Sequence, residues 1–289
     1  MAYDDTKWGG FAKIIVDTST MSVGDKVRVK SMTTNTNYDK TVATVGTPLI
    51  WETDIFKDYV KICMVQTIND TPTEIGGVYR ECDYGQTLFI NVLDKTTLGG
   101  IQGILNAHQG SDLLAIGDEV GVTINGILET YVLLKVTPTE ASFGWKYVSE
   151  SAYAMSPIDY SYRTSVHDYC DNIYSLMAEK DKQYIKEKTV HYQFGTDTRT
   201  ATRKIWIPTR GEVFGDSSYE PSAGVSQFPI FATQVGRQKT SKSGTSYDWQ
   251  TASSVDAGTS VIYVLPTGLE NNASSNSHIL PCFMLTADS

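Results

Sequence analysis

Val120-Gly121-Val122-Thr123-Ile124-Asn125-Gly126-Ile127-Leu128-Glu129-Thr130-Tyr131-Val132-Leu133-Leu134-Lys135-Val136 is the segment that decides the fold. Apolar and β-branched residues run up to Asn125-Gly126 and away from it, and Asn-Gly supplies the two positive φ values of a type I′ turn. The segment therefore predicts an antiparallel hairpin. Upstream, from Lys13 to about Val136, short alternating runs lie between turn signals, which is the period of β structure. The clearest predicted strands are Val27-Arg28-Val29-Lys30, Tyr59-Val60-Lys61-Ile62-Cys63-Met64-Val65 and Leu88-Phe89-Ile90-Asn91-Val92-Leu93.

Met21-Ser22-Val23-Gly24-Asp25-Lys26-Val27 echoes Leu114-Ala115-Ile116-Gly117-Asp118-Glu119-Val120. Each places an apolar residue before Gly-Asp and then opens a strand, as a repeated β-module would. The echo puts a boundary near residues 96–113. A chain of 289 residues exceeds the usual domain size of about 100–150 residues, so two units are expected. These are a small N-terminal β-rich module over 1–98, acting as a stalk or attachment part, and a second domain over 99–289.

Downstream, residues 165–188 are the strongest helical candidate. Tyr169, Ile173, Leu176, Met177, Tyr184 and Ile185 share one face, with a break near Asp181 that divides the segment into two short helices. Ser165 is placed to cap its start, and Lys180, Lys182, Lys186 and Lys188 crowd its end, where cations suit the helix dipole. Ile205-Trp206-Ile207 reads as a buried strand before a turn at Pro208, and residues 215–260 read as loop-rich.

Composition excludes several function classes. A net charge of −9 argues against nucleic acid as a partner, because phosphate binding takes clustered Lys and Arg. No run approaches the ~18 apolar residues of a membrane span, and Met1 to Lys7 lacks the order of a signal peptide, so synthesis in the cytoplasm is expected. Cys63, Cys82, Cys170 and Cys282 form no CxxC pair and are expected as buried free thiols rather than disulfides. The 17 tyrosines, with many threonines, suit exposed β surfaces.

Reaction chemistry finds no foothold. His108, His167, His191 and His278 lack metal-ligand spacing, and no EF-hand loop is present, so no metal and no cofactor are expected. Neither a G-x-S-x-G elbow nor a nucleotide-binding glycine fingerprint occurs; Gly76-Gly77 and Gly99-Gly100 read as turn pairs. No catalytic residue is therefore assigned. Tyr247, Trp249, Tyr263, Asn271, Asn272, Asn276 and His278 instead form a candidate recognition set, since aromatics give rigid contact area and amides adaptable hydrogen bonds. Trp249 carries a competing role as a core anchor, because large aromatics are mostly buried.

From Ile116 to Leu285 the order of features resembles an uncharacterised domain found in phages and prophages of gut Firmicutes and related to the C-type-lectin fold. The resemblance rests on Gly117-Asp118-Glu119-Val120 with its hairpin, Thr164-Ser165-Val166-His167-Asp168-Tyr169, and Lys204-Ile205-Trp206-Ile207 leading to Glu212-Val213. Asp248-Trp249-Gln250-Thr251-Ala252-Ser253 and Leu280-Pro281-Cys282-Phe283-Met284-Leu285 complete it. Gln250 and Leu280 stand where that domain prefers arginines or aromatics. The resemblance implies a β-rich α+β chain with a C-type-lectin-like domain in a virion structural protein. Such a protein is a tail or head fibre or decoration, homo-oligomeric, in contact with other virion proteins and with a host-surface glycan or protein. A purely architectural capsid or baseplate component and a tail-borne polysaccharide-degrading enzyme are the alternatives.

Overall fold

The computed structural model describes residues 12–53, 57–68, 70–83, 85–153, 165–215, 226–256, 260–273 and 276–288. Met1 to Lys7 and Thr164, used above, lie outside them. The chain is a β-rich α+β protein whose described residues form a three-stranded, an eight-stranded and a five-stranded sheet. The first sheet joins β1 (Ala12–Val16), β4 (Leu49–Thr53) and β7 (Thr87–Ile90) in the order β4-β1-β7. The second joins β2 (Lys26–Ser31), β3 (Asn37–Thr41), β5 (Lys57–Ile68), β6 (Thr71–Asp83), β8 (Glu119–Ile124), β9 (Ile127–Val136), β10 (Glu140–Trp145) and β16 (Cys282–Thr286). Its order is β16-β10-β9-β8-β6-β5-β2-β3. The third, β12-β11-β13-β14-β15, holds β11 (Lys188–Phe194), β12 (Asp197–Arg203), β13 (Trp249–Asp256), β14 (Ser260–Val264) and β15 (Glu270–Ala273).

The deciding hairpin forms as read. β8 and β9 pair from Glu119↔Val132 to Ile124↔Ile127, and Asn125 and Gly126 take φ of 50° and 74°. The sequence echo is also a structural one. In the first copy Asp25 accepts a hydrogen bond from the Ser22 amide, Gly24 donates to the Val42 carbonyl, and Val42 donates back to Asp25. In the second, Asp118 accepts from the Ala115 amide, Gly117 donates to Leu133, and Leu133 donates to Asp118.

Elsewhere the local reading fails for identifiable reasons. The predicted strand through Leu93 stops at Ile90, because Asn91 accepts from the Asp94 amide and caps helix α1 (Val92–Thr96). Gly99-Gly100 is no turn: it sits in the first turn of α2 (Leu98–Asn106), capped by Thr97 through the Gly100 amide. Gly76-Gly77 lies inside β6. Gly76 takes φ +60°, where a Cβ would meet the Glu119 carbonyl at 2.7 Å, and a Cβ on Gly77 would meet the Lys61 side chain at 2.3 Å. Both positions need glycine because another strand and a lysine stem cross them.

A short α3 (Gly110–Leu113) leads from α2 into β8. The long helical candidate ends early, giving α4 (Ser165–Leu176) and α5 (Glu179–Lys182), with the break at Met177-Ala178 and β11 already begun at Lys188. The Met177 amide bonds within the chain turn and the Ala178 amide donates to Thr123, so the hairpin next door terminates the helix. His167 and Cys170 join Val166 and Ile173 on its buried side, while Leu176 is exposed. Arg210 to Phe214 form a helix, α6 (Arg210–Phe214), on a Thr209/Glu212 capping box. In the 215–260 region, a 3₁₀ turn at Pro229–Phe231 and α7 (Gln234–Arg237) precede β13.

Apolar burial gathers in two clusters, one built from residues between Ala12 and Val92, the other from residues between Leu98 and Leu285. The eight-stranded sheet runs across both, with β6 and β8 paired through Gly77↔Glu119. A ladder of alternating charge crosses that seam: Asp39, Arg28, Glu74, Lys61, Glu119 and Lys146, each within 3.2 Å of the next.

Candidate functional site

The structure divides the predicted recognition set in two. Trp249, at the start of β13, has no accessible surface; its ring packs 5.6 Å from that of Phe231 and its Nε1 donates to the Arg237 carbonyl at 3.0 Å. A fully enclosed side chain offers nothing to a ligand, so Trp249 is a core anchor and leaves the recognition set. His278 is also buried. Its Nδ1 bonds to the Ser149 carbonyl, its ring stacks 3.9 Å from Tyr247, and its backbone bridges Asp248 and Gln250. Tyr247 and His278 thus lock the segment before β16 onto β13.

Tyr263, Asn271 and Asn272 remain at the surface, Tyr263 and Asn271 on one face of the strand pair and Asn272 on the other. β14 and β15 pair with Tyr263 opposite Asn271 and Ile262 opposite Asn272. Tyr263 is half-buried, both asparagines are exposed, and Asn271 Nδ2 donates to the tyrosine hydroxyl at 3.0 Å. Asn271 Oδ1 accepts from the Asn272 amide at 2.8 Å. Asn276 is exposed as well, beyond residues 274–275, which are not described.

The connection behind these residues is held from below. Gly268 donates to Leu265, the Gln234 and Gln238 amides donate to Thr267, and Arg237 bridges the Gly268 and Phe231 carbonyls at 2.8 and 2.7 Å. Arg210 pairs with Glu270 at 3.1 Å at the start of β15. A hairpin so fixed presents its outward residues without paying their ordering entropy at the moment of binding.

A hollow that sequence reasoning missed opens at the seam. It encloses about 770 Å³ between the β5–β6 hairpin, the start of α2, the β8–β9 turn and α5, with Thr97, Gly99, Lys180, Asp181 and Tyr184 in its wall. Its size is that of a ligand pocket. The one available sequence signal was Thr97 three residues before Gly100, a helix cap rather than a turn. The Asp181 carboxylate already accepts from the Thr123 amide at 3.0 Å.

All four cysteines are buried and free. Burial pushes the Cys63 and Cys170 thiols up to about 12 and Cys282 well above its ordinary value. Thiols in that state are poor nucleophiles at neutral pH. Among the described residues no group of His, Cys, Asp and Glu is arranged to hold a metal ion, and no helix is long and apolar enough to cross a membrane.

Lys239 differs. Its amine lies 5.5 Å from the centre of the Phe231 ring, and burial pulls it down to about 8. The folded value is below the unfolded ~10.4, so between these pH values the unfolded chain binds more protons and stability rises with pH. Lys239→Met is expected to remove that rise. At pH 7, where both states are protonated, it should stabilise the fold by at most about 3 kcal/mol, less where water reaches the half-buried chain. Urea denaturation of both proteins at pH 7 and pH 10 checks this; equal pH dependence in the two would contradict it.

Residues 129–287 match the profile of a family described as a domain of unknown function (DUF6273). No curated protein and no solved structure matches the chain. The match spans more than half of the 289 residues, and the chain belongs to the DUF6273 family.

Proposed function

We propose that the chain is a virion structural protein that binds the host surface through a C-type-lectin-like C-terminal domain, with no catalytic step of its own. The observation that carries the reading is the rigidly supported β14–β15 pair displaying Tyr263 and Asn271 side by side on one face. An aromatic ring beside an amide, here Tyr263 with Asn271, is the chemistry that contacts a sugar ring or a peptide backbone. The elements on which the lectin-like resemblance rests support it: the Gly117-Asp118 hairpin, α4 and α5, the Trp206 segment bridged to Cys282, and the Thr209/Glu212 cap. β10 pairs with β16, so the excursion from Trp145 to Cys282 starts and ends on neighbouring strands.

The seam hollow does not favour a polysaccharide-degrading enzyme. Glycoside hydrolysis uses two carboxyl groups ~5–9.5 Å apart, and among the described residues lining the hollow Asp181 alone is acidic. Tyr263→Ala combined with Asn271→Ala is expected to reduce adsorption of particles to host cells at least about tenfold, corresponding to ~1.4 kcal/mol, with unchanged thermal unfolding. Normal adsorption by the folded double variant would remove these residues from the reading. Reducing ends released from host envelope polysaccharide by the purified protein would replace it with the enzymatic one.

A further inference from the structure

The three-stranded sheet buries Ala12, Ile14 and Val16 against the N-terminal core and turns Lys13 and Ile15 outward. Register sets two rows on that outer face. Glu52, Lys13 and Thr87 lie side by side, as do Ile50, Ile15 and Phe89. Ile50 is 44% and Phe89 74% exposed, although both sit in regular strands. Next to them a largely apolar hollow of about 420 Å³ has Ile15, Phe89 and Leu113 in its wall, with Asp17, Asp94 and Lys95 beside them. Exposed apolar side chains set side by side on a strand face and rimmed by charge suit contact with a complementary surface.

We propose that this face is the contact between two copies of the chain, related by a twofold axis parallel to the strands between β1 and β4. Charge complementarity selects that partner. Lys13 and Glu52 form an exposed pair at 3.1 Å on adjacent strands, with side chains about half accessible. The twofold places Lys13 of one protomer over the partner's Glu52 and repeats the contact in reverse, while Ile15 faces the partner's Ile50. An isologous interface requires this self-complementarity. A chain of net charge −9 gains no attraction for a second copy elsewhere by bulk charge, but this row carries one cation and one anion in register. Phe89 and the hollow lie on the β7 side, away from β4, and rim the paired strands.

The contact is small. Three strands of about five residues outline roughly 14 by 17 Å, well below the ~800 Å² per partner of a stable complex. A weak, concentration-dependent dimer follows, one that repeated copies on a larger assembly would strengthen through avidity.

Sedimentation equilibrium of the full chain up to near-millimolar concentration tests the inference. The expected result is reversible doubling of the 31.9 kDa mass. Lys13→Glu alone and Glu52→Lys alone each set like charges opposite one another across the twofold and should leave monomers, with circular dichroism unchanged and melting lowered only slightly, since each also sets like charges on adjacent exposed strands of its own protomer. Mixing the two single variants pairs opposite charges at both positions and should restore a dimer of mixed composition. A wild-type chain that stays monomeric throughout, or dimers that persist in the single variants, would overturn the surface. Single variants that stay monomeric when mixed would overturn the twofold register.

Discussion

Trp249→Ala is expected to cost about 3–5 kcal/mol of stability, the range for removing a large buried aromatic. A domain is stable by only ~5–15 kcal/mol, so a large share of the fold's margin goes with one side chain. Two effects add. The indole fills space against Phe231 with no accessible surface, and its Nε1 satisfies the Arg237 carbonyl. Arg237 in turn holds the Gly268 and Phe231 carbonyls, so the loss spreads from β13 to the turn behind β15. Trp249→Phe keeps most of the volume and orphans the carbonyl; about 1–3 kcal/mol is expected. Urea denaturation reads both, and an alanine variant within ~1 kcal/mol of the parent would return Trp249 to a surface role. The same reasoning explains why host binding should be probed at Tyr263 and Asn271: a Trp249 variant would lose binding by unfolding.

Glu119→Leu is the second large effect, at about 3–5 kcal/mol, because it breaks a buried ion pair from one side. Glu119 accepts from Lys61 at 3.0 Å, Lys146 at 2.8 Å and the Tyr79 hydroxyl at 2.8 Å. Burial acts to lower the Lys61 amine, but Glu119, Tyr79 and Glu74 outweigh it and hold it above its ordinary value. A raised lysine stabilises below its unfolded ~10.4, so the ladder is intact at neutral pH. Glu74 is held low in spite of its burial, by its bonds to Lys61 and Arg28. Its contribution is present above the unfolded ~4.3 and is lost as pH falls through its lower folded value. Glu119→Leu leaves Lys61 with Glu74 as its remaining carboxylate, and Lys61→Met combined with Glu119→Leu should be less destabilised than the sum of the two single variants, since each single change strips a partner from the other's buried charge. A double-mutant cycle by urea denaturation at pH 7 checks both, and additive losses would show that the ladder is not coupled.

Local chemistry was legible where one segment supplied its own partner. The Asn125-Gly126 turn fixes its hairpin through its own φ preferences, and each Gly-Asp turn bonds back onto the residues beside it. Burial of the four cysteines was legible as well, from the absence of any pairing pattern. Gly76-Gly77 and Gly99-Gly100 were misread for one reason. A glycine pair looks like a turn in sequence, but Glu119 and Lys61 crowd the first pair, and the second opens a helix capped by Thr97.

The candidate site was half legible. Tyr263, Asn271 and Asn272 stay accessible, as their residue types suit, whereas Trp249 and His278 share that chemistry and are buried. Residue type does not encode which strand will cover it. The sequence by itself determined the β period, the turns and the apolar inventory, all properties of neighbours along the chain. Only the tertiary structure decided which aromatics face solvent, where Lys61 meets Glu119, and how the seam hollow closes. Those depend on residues far apart in sequence meeting across strands, and the energy of burial is fixed only when they meet.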